Sequence, residues 1–339
     1  MMQAWLQQKW QTKGLAQVLL LPISWLFAIL SATRRLLYRF KLMRTCKLAV
    51  PVIVVGNITV GGTGKTPLVI YLVEQLKAAG YTPGIISRGY GGKKTGLVTA
   101  ESAPELMGDE PVLMAKRTGV PVYVNPDRAS AGQALLNKYP NCDVIISDDG
   151  LQHERLQRDV EIVLINQQAL GNHYLIPAGP MRENISRLKS VDFIVNSGDV
   201  PLPSIGASQL NTYQMHVRGD IFHSLQGNKP QSAMFFKDKM VFAIAAIGHP
   251  ERFFKALSAL GLKFNTRIFP DHHPFKLDDF ADVKDEILLM TEKDAVKCQS
   301  LPLRDAWYLP VQAELFSENL PPLTEAVIQL LKNLAAKET

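Results

Sequence analysis

The glycine-rich hexapeptide GGTGKT, Gly61–Thr66, is the feature that most limits what this chain can fold into. A continuous apolar run, residues 50–55, precedes it, and a helical apolar pattern at Pro67–Ala79 follows it. A strand, a glycine-rich turn and a helix in that order form a P-loop, where backbone N–H groups and the helix N-terminus bind phosphate. The sequence therefore predicts a nucleotide-binding domain at residues 48–200.

Short apolar runs alternate with helical segments along most of the chain. This alternation predicts an α/β fold of the P-loop NTPase type, with a mostly parallel sheet and helices on both faces. A stretch at residues 201–212 predicts a linker, and the pattern resumes as a smaller α/β domain at residues 213–339. Besides the first strand, we expect strands at residues 84–87, 120–124, 143–147, 161–166, 192–196, 240–248, 266–270, 286–290 and 306–310.

The residue types of the loop indicate how it holds a nucleotide. Lys65 would reach the outer phosphates, and the hydroxyl of Thr66 would ligate Mg²⁺. Thr59 replaces the usual first glycine, and the paired glycines are typical of a divergent P-loop branch. The alternative, a plain glycine-rich turn, does not account for the strand and helix around it. The predicted nucleotide-binding residues are Thr59, Val60, Gly61, Gly62, Thr63, Gly64, Lys65 and Thr66.

An apolar strand at residues 144–147 ends in two carboxylates, Asp148 and Asp149. In P-loop proteins such a strand neighbours the loop, and its acid supports Mg²⁺. Adjacent strand residues point to opposite faces, so the two aspartates must have different roles. Gln152 and His153 follow within reach of the same site. An ordinary turn at the end of the strand is the alternative reading.

Further charged side chains lie in loops, where surface charges are common and each signal alone is weak. In the loop at residues 269–275, Asp271, His272 and His273 predict either a metal site or a histidine that supports a catalytic carboxylate. The TEKD stretch at residues 291–294 is similar to a guanine-reading motif, but its lysine is one place late, so GTP is not supported. The other candidates are Arg88, Asp109, Glu110, Arg128, Arg182 and Glu183.

The charge of the chain is concentrated at its N-terminus. Residues 1–47 carry eight basic residues and no acidic one, whereas the remainder carries 29 basic and 31 acidic residues. Together with the charge-free stretch Gly14–Thr33, this predicts a basic amphipathic segment associated with a membrane. Pro22 and Ser24 weaken a full span, so we expect an in-plane or partly inserted helix. A spanning helix and a buried core helix are the alternatives. The three scattered cysteines form no CxxC pair and fit a reducing compartment.

Taken in order, these motifs resemble the tetraacyldisaccharide 4′-kinase family of Gram-negative bacteria over essentially the whole chain. The matching stretches are VVGNITVGGTGKTP, SRGYGG, GDEP, NPDR, SDDGLQH, PAGPMRE, DHH and TEKDAVKC, behind a basic apolar N-terminus. One departure is Leu151, where the family pattern often has phenylalanine.

The resemblance implies a lipid kinase that uses ATP and Mg²⁺. It would transfer the γ-phosphate to the 4′-hydroxyl of a tetraacylated glucosamine disaccharide 1-phosphate, giving lipid IVA in lipid A (lipopolysaccharide) biosynthesis. The acceptor is held in the membrane, so the resemblance also implies an anionic membrane surface at the cytoplasmic face of the inner membrane. We expect a monomer and no nucleic-acid partner.

The resemblance also implies residue roles. Asp109 would be the general base, hydrogen-bonded to His272, and Thr66, Gln152 and Glu183 would hold Mg²⁺. Because Asp109 and His272 fall in different predicted domains, we expect domain closure on ATP to bring them together. The phosphate or substrate side would be lined by Asp148, Asp149, His153, Arg88, Arg128 and Arg182.

The main alternative is a membrane-associated P-loop switch ATPase that acts through protein partners. Such proteins usually carry a second lysine just before the paired glycines, where this chain has Val60. A GTP-dependent metallochaperone is a third possibility, but the guanine motif and the Cys/His cluster that it requires are poorly met.

Overall fold

The computed structural model describes residues 9–198, 200 and 211–338. Its described residues form two compact units, the first within the ranges Met1–Arg88, Asp127–His216 and Leu315–Thr339. The second unit comprises Gly89–Pro126 and Val217–Glu314. Residues 89–126 thus cluster with the C-terminal part, whereas the sequence prediction assigned them to the P-loop domain. The predicted domain boundaries stay a proposal, and most of the predicted linker, 201–212, lies outside the described residues, as do residues 1–8 of the basic segment.

Most strands of the described residues lie close to the predicted apolar runs. Strands at Gly96–Val98, Thr212–Arg218, Ile221–Ser224, Gln231–Ser232 and Gln312–Phe316 were not predicted. The strands are β1 (Val52–Gly56), β2 (Pro83–Ser87), β3 (Gly96–Val98), β4 (Val122–Val124), β5 (Val144–Asp148), β6 (Val160–Ile165), β7 (Phe193–Asn196), β8 (Thr212–Arg218), β9 (Ile221–Ser224), β10 (Gln231–Ser232), β11 (Val241–Ala245), β12 (Phe264–Ile268), β13 (Ile287–Thr291), β14 (Ala306–Leu309) and β15 (Gln312–Phe316).

Helices separate many of these strands. They are α1 (Leu15–Arg39), α2 (Lys65–Ala78), α3 (Pro104–Met107), α4 (Asp109–Thr118), α5 (Arg128–Lys138), α6 (Pro250–Ala259), α7 (Glu292–Cys298) and α8 (Leu323–Glu338). Short 3₁₀ turns occur at Gln167–Leu170, Ile185–Ser190, Ala233–Phe236 and Leu277–Phe280.

The first unit is built on six parallel strands in the order β8-β7-β6-β1-β5-β2. Every residue of β1, β5 and β6 is buried, which explains why these strands are continuous apolar runs rather than alternating ones. The predicted mostly parallel α/β sheet is therefore confirmed.

Helix α2 packs against β1, β2 and β5 through its apolar face. Leu68, Leu72 and Leu76 on this face are fully buried, and each such side chain contributes about 1.5–3 kcal/mol relative to exposure. The helix begins at Lys65, two residues before the predicted start, because Gly64 adopts a left-handed conformation at the N-cap.

Helix α1 has the reverse of a core helix's pattern. It is long and apolar enough to cross a membrane by length and composition. Its buried residues are the polar Gln17 and Ser24, whereas Leu15 is 77% and Leu19 is 70% exposed. The alternative of a buried core helix is therefore wrong.

The second unit contains a six-stranded sheet in the order β10-β9-β14-β13-β11-β12. Strands β11, β12, β13 and β14 are parallel to one another. Strand β9 pairs antiparallel with both β14 and β10. One apolar cluster includes Phe222 and Trp307, and a second includes Phe280 and Met290. Strands β3 and β4 pair antiparallel with each other.

Gly56→Ala should destabilise the first unit. A β-carbon at Gly56 would lie 2.6 Å from Cβ and 3.1 Å from the backbone nitrogen of Leu151, which is too close for a real side chain. Overpacking of this kind costs about 1–3 kcal/mol, which urea unfolding of the apo protein would measure. The matched control is Gly62→Ala, whose added methyl would meet no atom within 4 Å and should change the free energy of unfolding by less than about 0.5 kcal/mol. Equal stability of the two variants would contradict this packing.

Candidate active site

The parallel pairing of β1 with β5 brings the P-loop beside the two aspartates. Val55 is the register partner of Asp148, so the loop after β1 and the acidic residues after β5 leave the same edge of the sheet. Ligands of open parallel sheets bind at this edge.

The P-loop backbone has the geometry of a phosphate cradle. Gly61 and Gly64 have φ angles of 104° and 97°, which glycine adopts without the steric cost that a side chain brings. Thr63 anchors the loop, since its hydroxyl accepts from Asn57 Nδ2 (3.2 Å) and its carbonyl accepts from Ser197 Oγ (2.9 Å). Among the described residues no side chain caps α2, so its first N–H groups point towards the loop's concave side.

Asp149 is held by two cations. Its carboxylate lies 3.4 Å from Lys65 Nζ and 3.1 Å from Arg182 Nη1. Burial alone would raise the pKa of Asp149, but the charges of Lys65 and Arg182 outweigh it and lower that pKa to about 2. The carboxylate is therefore ionised throughout the neutral range and fixes both cations beside the P-loop.

Asp148 has a different set of partners because the strand ends at this residue, whereas Asp149 lies in the turn beyond it with a φ of 48°. Its Oδ2 accepts from Ser87 Oγ at 2.9 Å. The buried Arg128 donates to the backbone carbonyls of Asp148 (3.3 Å) and Asp149 (3.2 Å), so it stiffens the turn that carries both carboxylates. Burial lowers the pKa of Arg128, and the nearby charge of the exposed Arg88 adds to that effect.

The three residues expected to hold a metal are Thr66, Gln152 and Glu183. Gln152 Nε2 donates to Glu183 Oε1 at 2.7 Å, and Glu183 Oε2 accepts from Arg35 Nη1 of α1 at 2.7 Å. Thr66 is half-buried in the first turn of α2. Hydroxyl, amide and carboxylate oxygens are the donors that Mg²⁺ prefers, so the set fits this ion by its chemistry.

His153 contacts Asp127, with 3.4 Å between Nε2 and Oδ1. Burial and then the charge of Arg128 lower the pKa of His153, which leaves it neutral at pH 7. Asp127 also caps α5 and pairs with Arg155 at 2.6 Å. His153 is thus tied to the start of α5 in the first unit.

The second unit contains a buried carboxylate–histidine pair. Asp109, the first residue of α4, is 5% exposed, and its Oδ2 lies 2.9 Å from His272 Nδ1. Burial would raise the pKa of Asp109, but the hydrogen bond to His272 and the charge of Lys293 lower it. Burial would lower the pKa of His272, but the bond to Asp109 raises it. The ring of Tyr90 packs on the imidazole, with centroids 5.1 Å apart.

Two expectations about the loop at residues 269–275 are wrong. Domain closure on ATP was expected to bring Asp109 and His272 together. Both lie in the second unit and are hydrogen-bonded there, so this expectation is wrong. The alternative of a metal site at residues 271–273 also fails. His273 turns to Asp279 at 3.0 Å, and the described residues contain no group of three or more His, Cys, Asp or Glu that could hold a metal.

Sequence reasoning missed two cations that the structure places at these sites. Arg35 was counted only as part of the basic segment, and Lys293 was read only against a guanine motif. Both form ion pairs with residues far away in the chain, Arg35 with Glu183 and Lys293 with Glu110. Lys293 lies in the TEKD stretch, whose residue order does not match the guanine-reading motif. A lysine in a stretch left without a role was the available signal.

A P-loop on a mostly parallel sheet, with a cation-bound aspartate beside it, defines a P-loop nucleotide-binding protein. The family model LpxK, tetraacyldisaccharide-1-P 4′-kinase, matches residues 16–332. The chain belongs to this family.

Relatives and a solved structure agree with this assignment. The chain is 47% identical to the tetraacyldisaccharide 4′-kinase of Methylobacillus flagellatus, with 98% of each chain covered. It is 49% identical to that of Aromatoleum aromaticum, with 90% of this chain and 92% of the relative covered. The crystal structure of "apo" form LpxK from Aquifex aeolicus in complex with ATP matches with a TM-score of 0.79 and 31% identity, covering 94% of this chain and 100% of that one.

Asp109→Asn should lower the pKa of His272. The substitution keeps the shape of the side chain but removes the negative charge that favours the imidazolium, while burial of the ring remains. Loss of a charge partner at hydrogen-bond distance corresponds to a fall of about one pH unit or more. NMR titration of the imidazole signals would measure it. An unchanged or higher pKa of His272 in the variant would show that the pair is not coupled.

Proposed function

We propose that this chain transfers the γ-phosphate of ATP to the 4′-hydroxyl of tetraacyldisaccharide 1-phosphate, giving lipid IVA in lipid A biosynthesis. Family membership across residues 16–332 supports this reaction. The observation that carries it is the buried Asp109–His272 pair. A kinase must hold and deprotonate an alcohol, which a carboxylate supported by a histidine does.

The P-loop residues Thr59 to Thr66 bind the phosphates of ATP in this proposal. Backbone N–H groups of the loop and the start of α2 surround phosphate oxygens, and Lys65 neutralises the charge that develops on the transferred group. Asp149 keeps Lys65 and Arg182 in place by its two ion pairs. Because these charges are arranged before the reaction, little reorganisation is needed in the transition state.

Thr66, Gln152 and Glu183 would hold Mg²⁺, which when bound neutralises phosphate charge. Arg35 and Gln152 orient the carboxylate of Glu183 from two sides. Asp148 is oriented by Ser87.

Asp109 serves as the general base. It is ionised at neutral pH because its pKa is lowered, so it accepts a hydrogen bond from the acceptor hydroxyl and later its proton. Its low basicity is not an obstacle. The transition state of phosphoryl transfer is loose, so the hydroxyl loses its proton late and positioning matters most. His272 fixes the carboxylate through Nδ1 and stabilises its charge.

We assign the substrate side to Arg88, His153 and Arg182, whereas Arg128, which was also expected there, has a positioning role. Arg88 is exposed at the end of β2, where a guanidinium can bind a phosphate of the disaccharide. Arg128 is buried and bonded to backbone carbonyls, so its role is to position Asp148 and Asp149.

We propose that α1 lies in the plane of the cytoplasmic leaflet of the inner membrane, and that the protein is a monomer there. Side chains of α1 contact other parts of the protein at three places along the helix, from Gln17 to Arg35. Gln17 bonds Lys9, Ser24 bonds Leu175 and Arg35 bonds Glu183. The distance from Gln17 to Arg35 is about 27 Å at 1.5 Å per residue. A spanning α1 would therefore draw part of the first unit into the bilayer. An in-plane helix instead faces protein on one side and lipid on the other.

Asp109→Ala should abolish most of the transfer from γ-labelled ATP to tetraacyldisaccharide 1-phosphate in detergent micelles. We expect kcat to fall at least about hundredfold, because a positioned general base contributes about 10²–10⁴. Binding of an ATP analogue should persist, since the P-loop lies in the first unit. Glu105→Ala, at an exposed acidic position nearby, is the matched control and should keep full activity.

Each other outcome of this assay has a definite meaning. Labelled lipid with an unaffected Asp109→Ala variant would leave the kinase standing and exclude Asp109 as the base, and Asp148 and Asp149 would be the next carboxylates to test. Release of free phosphate alone by the wild type would overturn the kinase and favour the switch ATPase.

Replacing Leu19, Leu26 and Leu30 together by serine should weaken binding to anionic phospholipid vesicles by at least about tenfold, because apolar area leaves the lipid. All three leucines are exposed on α1. Leu277→Ser, at an exposed leucine of the second unit, is the control and should bind as wild type. Co-sedimentation measures both. Alkaline extraction separates the orientations, since it releases an in-plane helix and leaves a spanning one in the membrane. Unchanged binding of the triple variant would rule out α1 as the membrane contact.

A further inference from the structure

Lys293 of α7 lies among three acidic side chains of the second unit. Its Nζ is 3.0 Å from Glu110 Oε1, 3.5 Å from Asp271 Oδ1 and 3.7 Å from Asp109 Oδ2. The lysine thus touches the proposed base Asp109. It also touches Glu110, which follows Asp109 in sequence, and Asp271, which precedes His272.

Removing this ammonium group would leave three carboxylates around one imidazole. The other charges that face Asp109 are His272, at 2.9 Å, and the more distant Lys297 of α7. Lys297 is already bound to Asp294 at 2.8 Å. A buried carboxylate without sufficient positive charge takes up a proton, and like charges at short distance favour the same outcome.

The charge of Lys293 acts in one direction on both members of the pair. It lowers the pKa of Asp109 and also that of His272. Burial would lower the pKa of Lys293 itself, but Glu110, Asp109 and Asp271 raise it, so the ammonium persists through the neutral range.

We propose that Lys293 is a positioning residue for phosphoryl transfer, whose ammonium group offsets the repulsion of three carboxylates and keeps Asp109 ionised and aligned with His272. The inference rests on the proposed function and adds a residue to it. Lys293 acts through Asp109 and not on the substrate.

The pH dependence of kcat for lipid phosphorylation tests this role. Neutral Lys293→Met removes the cation that lowers the pKa of the pair, so the pair takes up its proton at a higher pH. The acid side of the profile should move up by about one pH unit or more, and kcat on that side should fall about tenfold for each unit. The KM for ATP should stay within about twofold of the wild-type value, because the substitution should leave ATP binding unchanged. Lys293→Arg keeps a cation and should lie close to the wild-type profile.

Arg117→Met is the matched structural control. Arg117 of α4 pairs with Glu292 of α7 at 2.7 Å, and its side chain is as exposed as that of Lys293. It joins the same two helices without touching Asp109. Any loosening of this helix pair should therefore appear in Arg117→Met without a shift of the pH profile. The proposal is overturned if Lys293→Met follows the wild-type profile, if Arg117→Met shifts it equally, or if Lys293→Arg behaves as Lys293→Met does.

NMR titration of His272 separates this inference from the proposed function. Loss of Lys293 should raise the pKa of His272, with Lys293→Gln as a second neutral variant should Lys293→Met fail to fold. An unchanged His272 in the neutral variants overturns the role of Lys293 whatever reaction the protein catalyses. Absence of lipid phosphorylation by the wild type, with His272 shifted as expected, overturns the proposed function and leaves the coupling of Lys293 to the Asp109–His272 pair standing.

Discussion

The parallel pairing of β1 with β5 is the constraint on which the nucleotide site depends. The register that sets Val55 against Asp148 makes the P-loop and the acidic turn leave the sheet at one edge. Every residue of both strands is buried, so their apolar packing holds them in this register. The apolar packing of the sheet therefore sets the distance between Lys65 and Asp149.

Both units keep a carboxylate ionised by surrounding it with cations from distant parts of the chain. Asp149 is held by Lys65 and Arg182, and Asp109 by His272 and Lys293. Removing a carboxylate from water disfavours its charged form, and nearby positive charge and hydrogen bonds to the carboxylate reverse this effect. Side chains held in this way are oriented before substrate arrives, which is how electrostatic catalysis works.

Much of the fold and part of the site could be predicted from the sequence. Continuous apolar runs located the buried strands. Asp148 and Asp149 have different partners as expected, but the reason is the turn at Asp149 and not alternation along the strand. The choice of Asp109 and His272 came from family resemblance, because spacing alone does not relate two residues 163 positions apart.

Local sequence patterns could not predict the long-range ion pairs. Arg35 with Glu183 and Lys293 with Glu110 join residues more than a hundred positions apart, so no local periodicity reports them. Which segments cluster together was equally out of reach. Residues 89–126 pack with the C-terminal part because α4 contacts α7, a tertiary pairing between distant helices.

Helix α1 separates what the sequence determines from what only the tertiary structure decides. The sequence by itself determined that this helix is apolar, flanked by cations and free of acidic residues, because those properties belong to composition. Only the tertiary structure decided which face meets protein. Gln17 and Ser24 are buried there because their polar groups bond Lys9 and the backbone near Leu175 and Ala178, while the leucines stay outside. A buried polar group needs a hydrogen-bond partner, and for Ser24 the folding of a distant part of the chain supplies it.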